Sequence, residues 1–257
     1  EQHRVRLITR MIANGIEPDY AERIFSQIRG FGEYGFPESH AASFALLAYA
    51  TAYLRCHHPE AFLCAMLNAQ PMGFYSPSTL IEDGKRHGVA LRPIDLIASE
   101  WDCTLERTPT GHAVRMGLRY VKGLGERERA RIEAAKGCFH DLESFVRATR
   151  LPLNQYVRLA EAGAFDGIGL SRRDALWRVR GLVSEAGDDV VLERLHGTTT
   201  FRALDTHDAV KWDHEVTFHS TRGHPMQRFR ELLRSMHVPD SSEVRAMKDA
   251  TRTDYVG

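Results

Sequence analysis

Two short groups of residues have the types and spacing of phosphate-binding sites. The first is Ser39, His40 and Ser43, at the start of a long helix predicted over residues 41–56 with Ser39 as its N-cap. Unpaired backbone N–H groups and the positive end of the helix dipole lie at such a turn, and they attract anions. A serine that only caps its helix, beside a histidine with a local polar partner, explains the same residues without any ligand.

The second group surrounds the turn Gly123-Leu124-Gly125, which lies between two predicted helical pieces. A helix-hairpin-helix presents the backbone N–H groups of such a turn to a phosphate, and its glycines let a DNA backbone approach closely. Leu124 would anchor the turn in its own core. Basic side chains that could add charge to the contact are Lys122, Arg127 and Arg129.

A second, degenerate copy of this pattern follows. Residues 153–162 are predicted as a helix, and another helix is predicted to run from about Ser171 to Leu182. Two neighbouring repeats of this type would bury their apolar faces against each other. A glycine turn between helices is also a commonplace structure with no ligand. The residues of the second turn are Gly163, Gly167 and Gly169, followed by Arg172 and Arg173.

Charge is distributed unevenly along the chain. The 257 residues hold 34 Lys and Arg against 34 Asp and Glu, so the net charge is zero. Residues 117–181, which contain both glycine turns, hold 13 basic against 8 acidic residues, and the flanks carry the matching acidic excess. A basic segment of this kind attracts the phosphate backbone of nucleic acids. Because it contains both glycine turns, it favours nucleic-acid binding.

Composition indicates an ordinary soluble globular protein, with 43% hydrophobic and 26% charged residues. The four cysteines never fall in a C-x-x-C pair, so the sequence predicts neither a disulfide framework nor a zinc site and favours a reducing cytoplasm. The apolar run of the long helix is too short and interrupted to cross a bilayer, which needs about 20 residues. Because the chain starts at Glu1 without Met, we expect it to be a piece of a longer protein.

Apolar spacing and chain breakers predict the elements that position these groups. The long helix is apolar around almost its whole circumference, which predicts burial in a larger assembly with the first two helices packed on it. A loose alternation predicts a strand over residues 212–219, with Asp213 and Glu215 on one face as solvated carboxylates rather than a metal-binding pair. Further helices are expected at 5–13, 20–28, 60–69, 78–87 and 224–236, and a small β-hairpin at 101–116.

Several blocks of the sequence resemble bacterial DNA polymerase III alpha subunits, specifically the error-prone branch involved in damage-induced synthesis. The resemblance covers essentially the whole chain, with residues 193–214 as its weakest part. It rests mainly on two highly specific blocks, PESHAASFALLAYATAYL and QPMGFYSP. The supporting blocks are RPIDLIASEWDCTLE, GLRYVKGLGE, LAEAGAFDGIGLSRRDALW and RGHPM.

This resemblance implies a mainly α fold with minor β content in connectors. Residues 1–75 would be the C-terminal part of helical polymerase fingers, and residues 76–112 a connector with a small hairpin. Residues 113–186 would form a tandem helix-hairpin-helix DNA-binding domain. Residues 187–257 would be a linker leading towards a truncated OB domain, with residues 255–257 at the edge of its first strand.

The resemblance also implies site residues. In that family the histidine of the SHA motif and the aromatic residue four positions later lie against the incoming nucleotide, which gives His40 and Phe44 here, with Ser39 capping. His40 would approach the triphosphate, and Phe44 would pack near the sugar one helical turn on. The duplex contacts implied are Lys122, Gly123, Leu124, Gly125, Arg127, Arg129, Arg172 and Arg173.

The family's chemistry is nucleotidyl transfer by two metal ions, held by carboxylates of the palm. The sequence has no Asp-x-Asp pair, so Mg²⁺ and its ligands are expected N-terminal to Glu1 and the fragment alone is expected to be inactive. The full-length protein would be a cytoplasmic, error-prone DNA-directed DNA polymerase in translesion synthesis and DNA repair, using primer-template DNA and dNTP. Its missing regions would bind a sliding clamp and damage-response proteins, and no membrane contact is expected.

Two alternatives use the hairpin differently. A non-catalytic helix-hairpin-helix adaptor in DNA repair would leave the long apolar helix as pure core. A helix-hairpin-helix DNA glycosylase would need a catalytic Asp or Lys near the hairpin and a pocket for a base. Asp166 is the only carboxylate suggestively placed for that role, and the sequence offers no partner Lys.

Overall fold

The computed structural model of the chain describes residues 2–33, 38–183, 201–249 and 253. The chain divides into two compact units, Glu1–His57 and His58–Gly257. The described residues are mainly helical and include a three-stranded sheet, which confirms the predicted fold class. The four-part division into polymerase regions stays a prediction, and its expected OB strand at 255–257 lies outside the described residues.

The first unit consists of α1 (Gln2–Ala13), α2 (Pro18–Glu33) and α3 (Glu38–His57). All three helices occur where the apolar spacing predicts them. Gly15, in a left-handed conformation with φ of 82°, lies in the turn between α1 and α2. These two helices pack against each other and share the ion pair Arg4–Glu22 at 2.6 Å.

The apolar surface of α3 is exposed in the described structure. Six large apolar side chains of α3 are 45% to 70% exposed. The prediction that α1 and α2 pack on this helix and cover it is therefore wrong. Its burial in a larger assembly stays a prediction. The exposed residues are Phe44, Leu46, Leu47, Tyr49, Tyr53 and Leu54.

The second unit surrounds one hydrophobic core. The small sheet consists of β1 (Ala90–Arg92), β2 (Thr104–Thr108) and β3 (Gly111–Arg115). Its order is β1-β3-β2, with β1 parallel and β2 antiparallel to the central strand. The sequence predicts the β2–β3 hairpin correctly but misses the parallel pairing of β1. The elements in chain order are α4 (Pro59–Asn68), α5 (Pro77–Arg86), β1 (Ala90–Arg92), β2 (Thr104–Thr108), β3 (Gly111–Arg115), α6 (Glu126–Ala135), α7 (Leu142–Thr149), α8 (Leu153–Glu161), α9 (Arg172–Leu182), α10 (Thr206–Thr217), α11 (Arg230–Ser235) and α12 (Ser241–Ala246).

Single-turn 3₁₀ helices supply the short connections of this unit. One at Leu118–Tyr120 takes the place of the first helix expected before the Gly123 turn. Others lie at Asp166–Ile168, in the second glycine turn, and at Pro225–Phe229, before α11. The helix predicted at 224–236 is therefore a 3₁₀ turn followed by a short α-helix.

The strand predicted over residues 212–219 is wrong, because these residues belong largely to α10. Asp205 caps this helix by accepting a hydrogen bond from the backbone N–H of Asp208 at 2.8 Å. The buried positions recur at helical spacing and do not alternate. The predicted segment 212–219 contains only half of the helix and is too short to show this spacing. Those positions are Ala209, Val210, Asp213, Val216 and Thr217.

Candidate nucleic-acid interface

The first turns of α3 bring two predicted nucleotide-binding side chains together. The rings of His40 and Phe44 lie 4.5 Å apart between centroids and are inclined at 59°. Both side chains are exposed, Phe44 by 57%, as expected for residues one turn apart on one face. The described part of the helix begins at Glu38, so Ser39 lies within the helix and the prediction that Ser39 is its N-cap is wrong.

The first hairpin forms at residues 121–125 as the glycine spacing predicts. Gly123 is left-handed, with φ of 84°, and its carbonyl accepts a hydrogen bond from Gln155 Nε2 at 2.7 Å. Leu124 packs against the core, which confirms its predicted anchoring role. Three hairpin N–H groups donate within the protein: Lys122 to Val216 O at 3.0 Å, Leu124 to Val121 O at 3.2 Å, and Gly125 to Glu128 Oε2 at 2.9 Å.

Lys122 fastens the hairpin to the C-terminal end of α10. Its ammonium group donates to the carbonyl of Glu215 and lies 3.6 Å from the centroid of the Phe218 ring. A cation at this end of a helix meets unpaired carbonyls and the negative end of the dipole, while the ring adds a cation–π contact. Lys122 therefore positions the hairpin, whatever further contact it makes.

The two predicted arginines of α6 differ in their surroundings. Arg127 is exposed and forms no side-chain hydrogen bond or ion pair within the described residues. Arg129 pairs with Glu133 at 2.9 Å and Glu126 at 3.6 Å, which raise its pKa, the hydrogen bond to Glu133 contributing most. It also lies 5.7 Å from the ring of Trp101. Arg127 is thus the more available cation of the two.

In the second hairpin, Arg172 lies in the interior rather than on the surface. Its side chain is 6% exposed and pairs with Asp213 at 2.5 Å, while its other terminal nitrogen donates to Ala209 O at 3.2 Å. The guanidinium covers Gly163, where an added Cβ would lie 2.8 Å from Arg172 Nε. This position does not offer Arg172 to a DNA backbone.

Asp213 is the centre of a buried network, so its expected solvated position is wrong. Ser220 Oγ donates to Asp213 Oδ2 at 2.6 Å, and Arg222 Nε lies 3.9 Å from the same oxygen. Arg222 also pairs with Asp166 at 3.2 Å, across the 3₁₀ turn of the second hairpin. The network ties α9, α10 and the second hairpin into one body.

Arg173 remains at the surface beside this network. Its side chain is half-buried and donates one hydrogen bond, to the carbonyl of Arg202 at 3.2 Å. A carbonyl carries no formal charge, so the positive charge of Arg173 is not neutralised by this contact. Arg127, Arg173 and Lys122 are the predicted duplex contacts whose charge no carboxylate neutralises within the described residues, and Lys122 is the one of the three that also holds the hairpin in place.

Two residues near the first hairpin escaped the sequence reasoning. Glu128 places its carboxylate on the Gly125 N–H, and its position three residues after Gly125, that of a capping-box glutamate, could have indicated this. Gln155, 8% exposed, supports the hairpin from α8, and its Oε1 has no hydrogen-bond partner within the described structure. No local sequence signal marks a contact made across 32 residues.

Other kinds of site have little support in the part of the chain that the structure describes. It contains no group of three or more His, Cys, Asp or Glu side chains arranged to hold a metal ion. Among the same residues, no helix has the length and apolar character needed to span a membrane. Burial raises the pKa of the Cys103 thiol to about 12, which keeps it protonated and unreactive at neutral pH.

Comparison with known proteins places this geometry in a family. The sequence profile of the helix-hairpin-helix motif matches residues 88–175, which include the first hairpin and most of the second. Error-prone DNA polymerase 3 of Agrobacterium fabrum is 40% identical over 96% of the chain, and error-prone DNA polymerase 2 of Rhizobium meliloti is 40% identical over 95%. The error-prone DNA polymerase of Alkalilimnicola ehrlichii is 47% identical over 94%.

The chain spans 24% of the length of each of these relatives, so it corresponds to one segment of a longer polypeptide. The similarity covers 96% of the chain, so it extends into both units and is not confined to the hairpin motif. Over this segment, the chain belongs to the family of the error-prone DNA polymerases.

Proposed function

We propose that this chain is the part of an error-prone DNA-directed DNA polymerase that positions the incoming dNTP and holds the primer-template duplex. The observation that carries the proposal is identity of 40% to 47% with error-prone DNA polymerases over at least 94% of the chain. The exposed His40–Phe44 pair and the surface arginines of the hairpin region support the two roles separately.

Catalysis is assigned to the rest of the polypeptide. Polymerase chemistry uses Mg²⁺ to stabilise the attacking and leaving oxygens of phosphoryl transfer. The described residues do not fit a metal centre, since no three potential ligands come together. The contribution proposed for this chain is binding and orientation, which lower a reaction barrier without supplying a reacting group.

The nucleotide site is proposed at the first turns of α3. The triphosphate would meet the positive end of the helix dipole and the His40 imidazole, while the Phe44 ring would pack on the sugar. Contact between the two rings at 4.5 Å fixes their relative orientation before a ligand arrives. Such preorganisation reduces the entropy lost on binding.

Substitution of His40 in the full-length polymerase tests this site. His40→Ala is expected to raise the KM for dNTP about tenfold, because one charge-assisted phosphate contact is worth roughly 1.5 kcal/mol. His140→Ala, which removes an 86% exposed histidine just before α7, is the matched control and should leave KM unchanged. An unchanged KM together with a lower melting temperature for His40→Ala would show that His40 is structural.

Duplex binding is proposed to use the DNA backbone, not base edges, because Arg127 and Arg173 keep positive charges at the surface of the hairpin region. Affinity should therefore fall steeply with salt and ignore sequence. Arg127→Ala should reduce the salt slope by about one, the contribution of one phosphate contact. The control is Arg147→Ala, which removes an exposed arginine of α7. Equal salt slopes for both variants and the unsubstituted protein would contradict the proposed contact.

The error-prone role is tested by synthesis across damage. The full-length protein is expected to extend a primer past a template abasic site in the presence of Mg²⁺, and EDTA should abolish extension. A protein that binds primer-template DNA but extends no primer, damaged or intact, would instead be a non-catalytic adaptor.

A further inference from the structure

The outer face of α9 combines an exposed aromatic ring with two arginines, of which the roles described above use Arg173 alone. Trp177 lies on this face with 50% of its surface exposed. Arg173 precedes it by four residues and Arg180 follows it by three, so the three side chains share one side of the helix. The two arginines are seven positions apart, which corresponds to about 10 Å along the helix axis.

Both arginines keep their charge. Arg180 is exposed and forms no side-chain hydrogen bond or ion pair within the described residues. Arg173 donates to a backbone carbonyl, as described above. The acidic residue nearest to them on α9, Asp174, is committed to the helix start, where it accepts from Ser171 Oγ at 2.5 Å and from the Phe201 backbone N–H at 3.1 Å.

Among the described residues, the ring of Trp177 has one aromatic neighbour. Phe201 lies 5.8 Å from Trp177 between ring centroids, at an interplanar angle of 56°. Arg180 also forms part of the wall of an open groove of about 840 Å³ between α8 and the end of α9, together with Leu153 and Val157. The second arginine of the groove, Arg158, is paired with Glu161 at 3.1 Å, so Arg180 supplies the unpaired positive charge.

We propose that this face of α9, formed by Arg173, Trp177 and Arg180, binds single-stranded DNA. One unpaired base would stack on the indole of Trp177, and phosphates on either side of it would contact the two arginines. Aromatic rings flanked by cations bind single strands in this way and without sequence preference, because every base offers a π-face. In a duplex the bases are already stacked on each other, so the exposed ring favours a single strand.

The proposal rests on the proposed polymerase function only for the identity of the strand, which would be the unpaired template. The full-length protein and a fluorescently labelled twelve-nucleotide oligo-dT test it by anisotropy at several salt concentrations. Trp177→Ala should weaken binding by about 5- to 100-fold, the range for loss of one stacked base, without changing the salt slope. Arg180→Ala should reduce the slope by about 0.7, the value for one phosphate of a single strand.

Three controls separate stacking from folding. Trp177→Phe keeps a ring and should restore most of the affinity even if Trp177→Ala folds poorly. Arg147→Ala should behave like the unsubstituted protein. Binding of a blunt duplex should change by less than about twofold in Trp177→Ala, because stacked bases do not use the ring.

Oligo-dT affinity that is unchanged in Trp177→Ala, or single-strand and duplex affinities that fall together, would overturn the proposal. The oligo-dT measurement does not depend on whether the full-length protein is a polymerase. Failure of that assignment would appear as absence of primer extension by the unsubstituted protein. Failure of the α9 proposal would leave primer extension intact and oligo-dT binding insensitive to Trp177.

Discussion

Replacing Arg172 by Ala should destabilise the second unit far more than it affects DNA binding. The substitution leaves the Asp213 carboxylate, 8% exposed, without its 2.5 Å partner and removes the hydrogen bond to Ala209 O. Breaking one side of a buried ion pair typically costs about 3–5 kcal/mol. Ser220 Oγ still donates to Asp213 and Arg222 lies 3.9 Å away, so the expected loss is near the lower end, about 3 kcal/mol.

The assay is urea or thermal unfolding followed by circular dichroism. For a domain of this size, about 3 kcal/mol corresponds to a fall in melting temperature of roughly 6–12 °C. Arg173→Ala is the matched control, since it removes the neighbouring arginine at the surface and should cost less than about 0.5 kcal/mol. The double variant Arg172→Met with Asp213→Leu should recover much of the loss, because it leaves no unpaired buried charge.

A small loss of stability, or a loss of DNA affinity, in Arg172→Ala would refute the structural role of Arg172. A stability loss below about 1 kcal/mol for Arg172→Ala would mean that the ion pair is not buried as described. If salt-dependent duplex affinity fell in the same variant, Arg172 would be the DNA contact that the sequence predicts. Measuring stability and affinity on the same samples therefore decides between the two roles.

Three further predictions concern other parts of the second unit. Glu128→Gln should raise duplex affinity about two- to fivefold at low salt, since a negative charge beside the Gly125 N–H repels phosphate, and titrations that match the unsubstituted protein would contradict this. Burial lowers the pKa of His219 from 6.5 to about 4, so the stabilising contribution of the neutral imidazole is complete above pH 6.5. The free energy of unfolding should fall by about 2 kcal/mol between pH 7 and pH 5, and urea titrations of a His219→Asn variant should show this pH dependence removed. Gly117→Ala should unfold the protein or cost more than about 3 kcal/mol, because its Cβ would lie 2.4 Å from the backbone oxygen of Trp101, and a normal melting temperature would show that the close approach is absent.

Local signals were enough to predict most helices. Capping residues and apolar spacing located α5 and α9, where Ser76 and Ser171 each accept a backbone hydrogen bond at the helix start. The hairpin at β2–β3 followed from its turn residues. Each of these features depends on residues within about ten positions of one another, so the amino-acid sequence alone is sufficient to predict it.

Contacts distant in sequence could not be predicted in this way. The parallel pairing of β1 with β3 joins residues 23 apart, Ala90 and Ala113, and no turn chemistry specifies it. The partner of Arg172 lies 41 residues along the chain, on a helix that the sequence assigned to a strand. Arg172 and Arg173 are adjacent arginines that sequence cannot tell apart, although one is buried and the other is not.

The two hairpins show why helix-hairpin-helix spacing alone does not identify the DNA contacts. In the first, the amide of Gly125 and the ammonium of Lys122 are both occupied by groups of the same chain. In the second, Arg172 fills the space over Gly163 that a closely approaching backbone would need. A phosphate must therefore displace Glu128 or bind beside the hairpins, where Arg127 and Arg173 keep their charge. Because Glu128→Gln is expected to raise duplex affinity, displacement of Glu128 is the predicted route, and an unchanged duplex affinity in that variant would show that phosphate binds beside the turn instead.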